Sequence, residues 1–349
     1  MSDTAARAAQ DSAAQARAAR DSGLPRRVSI REVGPRDGLQ LEAPLTFRDK
    51  ELLIAALAGT GVRRIEATAF VSPRAVPSMA DAERVGQLVR EWPHIEWSAL
   101  AASPNGARRA VAAGFTSVEY VVSAGNGHSL ANVGRPTEQA LAAVAEVAEI
   151  VHGAGGQLEV IIATAWDCPF DGPIRPGPTA AIAARAVELG ADALCLGDTI
   201  GTTVPGRVTR LLGLVRDRAP GVDIGVHLHN TRGTGIASAW AAVQAGVTRL
   251  DSSVGGLGGC PFAPGATGNI ATDELVYLLT DSGIETGVDL GAALDAARLV
   301  ETMVGHPADS SLLRAGGRSV PRPPLAEPAG SRARELSPAS PPRAAVSAR

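Results

Sequence analysis

The sequence predicts an α/β fold of the (β/α)8 barrel class, also called the TIM barrel. Three observations predict this fold: short β-branched segments alternate with longer helical segments, there are eight of each, and polar residues follow six of the strand-like segments. An open doubly wound sheet is the weaker alternative. No Gly-x-Gly-x-x-Gly segment opens the first helix, and the glycine-rich run 255–259 comes after the last strand instead.

The predicted strands are short apolar runs, and each is followed by a segment with helical periodicity. The strands are expected at Val28–Val33, Arg64–Ala69, Ile95–Ala99, Ser117–Val122, Leu158–Ala163, Ala193–Leu196, Asp223–His229 and Arg249–Ser253. The helices are expected at Phe47–Ala58, Met79–Arg90, Asn105–Ala113, Thr137–Ala154, Pro178–Leu189, Pro205–Arg218, Gly235–Ala245 and Thr272–Asp281. Glycines directly after several helices, such as Gly59, Gly114 and Gly190, are typical stop signals.

Both ends of the chain differ in composition from the segment between them. Residues 1–26 are rich in alanine, and their aspartates argue against an organellar transit peptide, so we expect a flexible leader. Residues 316–349 are rich in Pro, Arg, Ser and Ala and lack aromatic residues, which predicts a disordered tail. The barrel domain is therefore expected at residues 27–315.

The composition is that of a soluble globular enzyme and excludes disorder throughout. Hydrophobic residues make up 45% of the chain and charged residues 20%, and the net charge of −3 offers no basic surface. We therefore expect small-molecule partners and neither nucleic acid nor membrane. The three cysteines have no Cys-x-x-Cys spacing, and no apolar run is long enough to span a bilayer, which favours a reducing, cytoplasmic location.

The segment containing His227 and His229 is the first candidate for a metal site. Side chains alternate along a strand, so the two imidazoles lie on the same face and converge on one point. A divalent cation uses both rings while they stay neutral, whereas a hydrogen-bonded structural pair is the alternative. With Asp37 and an amide such as Asn269, the ligands would be mixed oxygen and nitrogen, which suits Mg²⁺ or Mn²⁺ better than zinc.

Other polar residues at the predicted strand ends are candidates for the same site, because the catalytic face of a barrel lies there. For any single carboxylate, a helix cap or a solvated turn is the competing interpretation. Arg36 keeps its charge and could hold a developing enolate, or it could form a salt bridge with Asp37 or Glu66. Cys260 lies on a glycine-rich loop and could transfer a proton, although a lone cysteine is usually a small buried residue.

Several segments together resemble hydroxymethylglutaryl-CoA lyase within the metal-dependent barrel lyases and Claisen-condensing synthases. The resemblance covers residues 28–305, and its most specific part is the loop Gly-Leu-Gly-Gly-Cys-Pro ending at Pro261. The other matching segments are Val33–Gln40, Ile65–Glu66 with Phe70–Pro73, Leu196–Gly201, and Asp251–Phe262 continuing through Gly268–Leu275.

The resemblance implies that a branched 3-hydroxyacyl-CoA is split into acetyl-CoA and a β-keto acid, with Mg²⁺ or Mn²⁺ as cofactor. It implies metal ligands at Asp37, His227, His229 and Asn269, and catalytic roles for Arg36, Cys260, Glu66 and Asp198. Residues expected to contact the acyl-CoA substrate are Arg36, Gln40, Trp166, Asp167 and Thr199, while His128 and Asn132 could contact substrate or cap a surface helix. We also expect a homodimer.

The sequence departs from the usual family pattern at positions that bear on the substrate. Leu41 stands where Asn is expected, Asp273 stands where Glu is familiar, and Trp166 with Asp167 replaces a pair of small residues. Two other functions therefore remain open. One is a Claisen-type acyltransferase or a 4-hydroxy-2-oxo acid aldolase of the same barrel, and the other is a metal-binding barrel subunit without catalysis.

Overall fold

A computed structural model describes residues 23–259 and 268–317 of the chain. Eight parallel strands close into a barrel in the order β1-β10-β9-β8-β5-β4-β3-β2, so the predicted (β/α)8 fold is confirmed. The barrel strands are β1 (Ser29–Glu32), β2 (Arg64–Phe70), β3 (Glu96–Ala101), β4 (Ser117–Ser123), β5 (Gln157–Ala163), β8 (Ala193–Asp198), β9 (Asp223–Leu228) and β10 (Arg249–Ser252). Two further strands, β6 (Asp167–Cys168) and β7 (Gly172–Pro173), form an antiparallel hairpin outside the barrel.

Helices surround the barrel. They are α1 (Phe47–Ala58), α2 (Ala82–Leu88), α3 (Pro104–Ala112), α4 (Asn126–Val133), α5 (Thr137–Ala142), α6 (Val144–Gly153), α7 (Pro176–Glu188), α8 (Pro205–Arg218), α9 (Gly235–Gln244), α10 (Thr272–Asp281), α11 (Leu290–Val304) and α12 (Ser311–Ala315). Short 3₁₀ turns occupy Pro77–Met79, Val89–Glu91 and Val254–Gly256, and a π-helical turn occupies Gly34–Gly38.

Four elements of the structure are not predicted from the sequence, and two helices differ from the prediction. It did not predict the hairpin or the helices α4, α11 and α12, and the predicted helix Thr137–Ala154 is divided into α5 and α6. The predicted helix Met79–Arg90 begins only at Ala82, because Pro77 starts a separate 3₁₀ turn. The leader and tail fall largely outside the described residues, so the proposed division into leader, barrel and tail remains a prediction.

The strands bury both faces, as parallel strands in a barrel do. On β5, Leu158, Val160 and Ile162 pack with the buried apolar residues of the helical layer. Glu159 and Ile161 alternate with them and therefore face the barrel interior. Among the described residues, no helix has both the length and the apolar character needed to cross a membrane.

Candidate active site

The two histidines of the predicted metal site lie side by side at the carboxyl end of β9. His227 is near the end of the strand, His229 directly follows it, and both side chains are buried. Their Nε2 atoms are 3.1 Å apart. Because both rings aim the same nitrogen at one point, they are arranged to give two lone pairs to a shared cation.

Asp37, which follows the first strand of the barrel, lies beside the two histidines. The π-helical turn after β1 carries Asp37 over the barrel mouth, where its Oδ2 lies 3.8 Å from His227 Nε2 and 3.6 Å from His229 Nε2. The three candidate ligand atoms all lie within 4.8 Å of one another. Burial raises the pKa of the Asp37 carboxyl, but Arg36 and the two histidines outweigh burial, so the pKa lies well below its ordinary value.

Asn269 joins the same three side chains. Its amide Nδ2 donates to Asp37 Oδ2 at 2.8 Å and to the carbonyl of Leu257 at 3.1 Å, and its backbone forms a bridge with His229. To act as a ligand, the amide would turn about its last bond and present Oδ1 in place of Nδ2. Only glycine fits at Gly258, since a Cβ there would lie 2.5 Å from Asn269 Nδ2 and the backbone φ is +136°.

The chemistry of these residues fits a divalent cation. Two imidazoles, a carboxylate and an amide provide the mixed nitrogen and oxygen donors that Mg²⁺ and Mn²⁺ accept. The ring of His227 is held in one orientation, because its Nδ1 lies 3.1 Å from Asp251 Oδ2. A carboxylate on Nδ1 fixes the proton there and leaves Nε2 free to bind a metal.

Asp251 is itself fixed by an ionic cluster inside the barrel. Arg31 on β1 donates to both Asp251 oxygens, at 2.9 and 2.7 Å. The same guanidinium reaches Glu119 on β4 at 2.8 Å and Glu159 on β5 at 2.9 Å. Since β1 is not a neighbour of β4 or β5 in the barrel, these contacts cross the interior. Arg249 also pairs with Glu159, which gives this interior carboxylate a second guanidinium partner.

Arg36 lies beside the candidate metal ligands and is buried. Its Nε donates to Glu66 Oε1 at 2.6 Å, and its Nη1 donates to Asp37 Oδ1 at 2.6 Å and to Gln40 Oε1 at 3.4 Å. Both salt bridges that the sequence offered as alternatives are therefore present. They hold the guanidinium at the edge of the cavity described next, where it is positioned to bind an oxygen anion.

A cavity of about 120 Å³ lies over Asp37, His227 and His229. Its lining includes the predicted residues Arg36, Asp37, Gln40, Thr199, His227 and His229, together with His128 and Asn132. The Oγ1 of Thr199 accepts a hydrogen bond from the backbone N–H of Thr164. Thr164 has a backbone φ of 53°. The strained conformation of Thr164 supports this rim of the cavity and could not be read from the sequence.

His128 lines the cavity and is buried, so it does not cap a surface helix, and its contact with substrate remains a prediction. Its Nδ1 lies 2.7 Å from the Ser123 Oγ. Burial lowers the pKa of His128 to about 4, so the ring is neutral near pH 7. A neutral imidazole can orient a polar substrate group without adding charge to the site.

Other predicted site residues lie away from the cavity. The Trp166 indole donates to the carbonyl of Arg207 at 3.2 Å, and Asp167 accepts hydrogen bonds from Arg207 at 2.7 and 3.0 Å and from Thr202 at 2.6 Å. Neither residue lines the cavity, because the hairpin at β6 and β7 carries them toward α8. The structure thus places Trp166 and Asp167, both predicted to contact the substrate, away from the cavity.

Asp198 ends β8 between two residues that line the cavity, Gly197 and Thr199. Its carboxylate accepts from the backbone N–H groups of Thr202 and Thr203, both at 3.0 Å. Burial raises the pKa of Asp198, and these two hydrogen bonds oppose that effect in part. Cys260 lies outside the described residues, but Gly259, the residue before it, lines the cavity.

Arg31 and Asp251 have roles that the sequence does not predict. Arg31 lies inside the predicted strand Val28–Val33, and Asp251 lies in a segment that matches the family. A charged residue within a short apolar strand was the available signal. Its partners could not be named without knowing which strands face each other across the barrel.

Comparisons with known proteins agree with this fold. The model of the HMGL-like family matches residues 27–300. An (R)-citramalyl-CoA lyase of Chloroflexus aurantiacus is 39% identical, with 83% of this chain and 95% of the relative covered. A mitochondrial hydroxymethylglutaryl-CoA lyase of Rattus norvegicus is 38% identical, with 84% and 90% covered. The structure of an HMG-CoA lyase from Acinetobacter baumannii, in complex with coenzyme A and 3-methylmalate, is 36% identical at a TM-score of 0.81, with 85% and 97% covered.

Proposed function

Because this chain belongs to the HMGL-like family and is a lyase that acts on CoA esters, we propose that it splits 3-hydroxy-3-methylglutaryl-CoA into acetyl-CoA and acetoacetate. We propose Mg²⁺ or Mn²⁺ as its cofactor. The observation that carries the proposal is the convergence of Asp37, His227 and His229 at the barrel mouth, with the Arg36 guanidinium bonded to the same aspartate.

In this proposal Asp37, His227, His229 and Asn269 hold the cation. When bound, the cation would lower the pKa of the tertiary hydroxyl group and so promote its loss of a proton. Asp251 keeps the proton of His227 on Nδ1, so that Nε2 faces the site.

Arg36 has the role of binding the enolate oxygen that forms on the thioester as the carbon–carbon bond breaks. Its guanidinium cannot deprotonate, and Glu66 and Asp37 fix its plane before substrate arrives. An electrostatic group that is already in place needs no reorganisation during the reaction, and this favours the transition state. Gln40 lies within 3.4 Å of the same guanidinium and is proposed to contact the thioester half of the substrate.

Cys260 is proposed to protonate the enolate carbon and complete acetyl-CoA. Its neighbour Gly259 lines the cavity, which supports a position of the loop close to the reacting carbons. Asp198 and Thr199 are proposed to act at the other rim of the cavity, where burial raises the pKa of Asp198 and makes it better suited to accept a proton.

Citramalyl-CoA is a second candidate substrate. It is favoured by the relative from Chloroflexus aurantiacus, which is named for that substrate and is 39% identical. Citramalyl-CoA also has a tertiary hydroxyl group, a carboxylate and a thioester, so the same residues would serve both reactions. The two substrates differ by one methylene group, which typically changes specificity by a factor of about 10 to 200.

The test is a measurement of acetyl-CoA release by the purified full-length protein. The protein would be stripped with a chelator and then assayed with Mg²⁺ or Mn²⁺ on 3-hydroxy-3-methylglutaryl-CoA and on each enantiomer of citramalyl-CoA. We expect 3-hydroxy-3-methylglutaryl-CoA to have the highest kcat/KM and the stripped protein to be inactive. Turnover of only 4-hydroxy-2-oxo acids, or only acyl transfer, would favour the other barrel enzymes. Metal binding without any turnover would favour a non-catalytic subunit.

The expected homodimer, the cytoplasmic location and the absence of nucleic-acid and membrane partners remain predictions. Sedimentation of the purified protein would test the oligomeric state directly.

A further inference from the structure

A cleft lies between the β6–β7 hairpin and the first turns of α7 and α8, lined by residues 165–166, 173–176, 207 and 210. We call it the hairpin cleft. It has a volume of about 210 Å³ and shares no lining residue with the cavity over Asp37, His227 and His229. Trp166 lines it, and Asp167 binds one of its arginines. Since Trp166 and Asp167 stand where the family pattern has a pair of small residues, the cleft depends on a departure of this chain from that pattern.

Three arginines line the hairpin cleft. Arg175 directly precedes α7, while Arg207 and Arg210 lie about one helical turn apart on α8 and therefore share a face of that helix. Of the described residues that line the cleft, none is acidic. The cleft thus collects positive charge on a protein whose net charge is −3.

Arg207 is bound to the hairpin. Its guanidinium donates to the Asp167 carboxylate at 2.7 and 3.0 Å and to the carbonyl of Trp166 at 2.9 Å. The Trp166 indole donates back to the carbonyl of Arg207 at 3.2 Å, and the backbone N–H of Ile174 donates to the carbonyl of Trp166 at 3.0 Å. Because these contacts join the hairpin to the start of α8, the walls of the cleft are in place before a ligand arrives.

Arg175 and Arg210 differ from Arg207, because both are exposed and neither makes a hydrogen bond or an ion pair with any residue in the described ranges 23–259 and 268–317. Several exposed arginines elsewhere are paired with a carboxylate on the same or a nearby helix: Arg48 with Glu51, Arg108 with Glu146, Arg185 with Glu188, and Arg298 with Asp295. The two arginines of the cleft therefore keep their donors for an anion from solution.

The remaining lining of the hairpin cleft is apolar. It consists of Ala165, Trp166, Pro173, Ile174 and Pro176, of which the first two are buried. The cleft therefore suits a ligand that has an anionic group for the arginines and a small apolar body. Guanidinium groups match the oxygen atoms of both carboxylates and phosphates, but two unpaired guanidiniums favour a group with close to two negative charges, which a phosphate monoester carries at pH 7.

We propose that the hairpin cleft binds a small phosphate monoester with an apolar body, at a site separate from the reaction cavity. The inference does not depend on the proposed lyase function, because no residue that lines the cleft holds the cation or the enolate in that proposal.

The phosphate monoester of coenzyme A has the same chemistry and is the other possible occupant. The cleft is linked to the reaction cavity by side chains, since Asp167 accepts from the Thr202 hydroxyl at 2.6 Å and the Thr202 N–H donates to Asp198 at 3.0 Å. The two occupants differ in one measurable respect. Loss of a separate ligand leaves the KM for a CoA ester unchanged, whereas loss of a coenzyme A contact raises it.

The experiment is a calorimetric titration of the full-length protein, loaded with Mg²⁺, with phenyl phosphate, benzoate and inorganic phosphate. Benzoate has the apolar body with a single charge, and inorganic phosphate lacks the body. Wild type is compared with Arg175→Gln, with Arg210→Gln and with the double variant. Arg185→Gln is the matched control, because Arg185 is an exposed arginine of α7 outside both cavities. Thermal unfolding verifies that each variant is folded, and the single variants serve if the double variant does not fold.

We expect wild type to bind one phenyl phosphate with a dissociation constant of about 1 mM or lower, and roughly fivefold more tightly than benzoate or inorganic phosphate. Each single substitution should weaken binding by about tenfold and the double variant by about 100-fold, because each removes a charged hydrogen-bond donor. Arg185→Gln should change the dissociation constant by less than about twofold. Absence of binding to wild type, or equal binding to wild type and the double variant, would overturn the inference.

The source of the phosphate is decided by kinetics with 3-hydroxy-3-methylglutaryl-CoA. An unchanged KM in the double variant supports a separate ligand. An increase in KM of more than about fivefold, with kcat unchanged, would assign the cleft to coenzyme A and overturn the inference. If the protein cleaves no CoA ester, the proposed function fails, and the titrations alone decide whether the cleft binds a phosphate monoester.

Discussion

Replacing Asp251 by asparagine should weaken metal binding although Asp251 does not touch the metal site itself. Its carboxylate lies between His227 Nδ1, at 3.1 Å, and Arg31, at 2.9 and 2.7 Å. The substitution keeps the size of the side chain and removes one negative charge. We expect the dissociation constant for Mn²⁺ to rise 10- to 100-fold, the usual cost of losing a carboxylate behind a histidine ligand.

The expectation follows from the number of acceptors that each side chain offers. A carboxylate accepts from Arg31 and from His227 at the same time, whereas an amide accepts on only one side. Arg31 Nη2 and His227 Nδ1 share Asp251 Oδ2, and Arg31 Nε binds Oδ1. If the amide oxygen takes the place of Oδ1, the amide N–H group faces His227 Nδ1 and forces the histidine proton onto Nε2, the nitrogen proposed to bind the metal. If the amide oxygen takes the place of Oδ2, the amide N–H group opposes the Nε–H group of Arg31.

The same substitution should lower stability by less than the full cost of breaking a buried ion pair. Such a break costs about 3–5 kcal/mol when a charge loses its only partner. Arg31 keeps Glu119 at 2.8 Å and Glu159 at 2.9 Å, so we expect a decrease of about 1–3 kcal/mol in the free energy of unfolding. The change in metal affinity corresponds to about 1.4–2.7 kcal/mol.

Asp223→Asn is the matched control. Asp223 begins β9 and pairs with Arg249 Nε at 2.6 Å, but 57% of its side chain is exposed. Its loss should change stability by less than about 1 kcal/mol and leave Mn²⁺ binding unchanged. Calorimetric titration of chelator-treated protein with Mn²⁺ gives the affinities, and urea unfolding gives the stabilities. A folded Asp251→Asn protein that binds Mn²⁺ within twofold of wild type would refute the reasoning.

Three further predictions concern Glu32, Cys260 and Arg36. Burial raises the pKa of Glu32 from 4.5 to about 7, so the folded state holds this proton more tightly and stability should fall by roughly 3 kcal/mol as pH rises through that interval. Urea midpoints of Glu32→Gln should lack this part of the slope, and parallel curves would contradict it. Cys260→Ser should lower kcat about 100-fold with Mn²⁺ affinity unchanged, and unchanged kcat would remove Cys260 from the mechanism. Arg36→Lys keeps the positive charge but not the simultaneous pairing with Glu66 and Asp37, so kcat should fall about 100-fold in the same assay. A decrease in kcat of less than about threefold would exclude an enolate-binding role.

The convergence of the metal ligands could be predicted from the sequence because it depends only on local rules. Residues at the carboxyl ends of barrel strands share one face of the molecule, and residues two apart on a strand share one side. His227, His229 and Asp37 satisfy these rules directly. Asn269 required the resemblance in addition, because nothing local distinguishes its amide from any other amide in a loop.

The rest of the site depended on contacts between distant segments. Arg31 binds residues on three strands, and the pairing could not be known before the order and register of the barrel. Trp166 and Asp167 follow β5 as the rule for barrel mouths requires, yet the β6–β7 hairpin turns them toward Arg207, about 40 positions later in the chain. Position at a strand end therefore identifies candidates, and the fold of the following loop decides which of them reach the substrate.

His227 and Arg36 are held in place by different sets of contacts. His227 lies on β9 and Asp251 lies on the neighbouring strand β10, where it forms an ion pair with Arg31. A change at Asp251 therefore affects both the metal site and the stability of the barrel. Arg36, by contrast, is held by Glu66 and Asp37, at 2.6 Å each. A change at Arg31 should therefore act on the metal site through Asp251 and His227, whereas a change at Glu66 should act through the orientation of the Arg36 guanidinium.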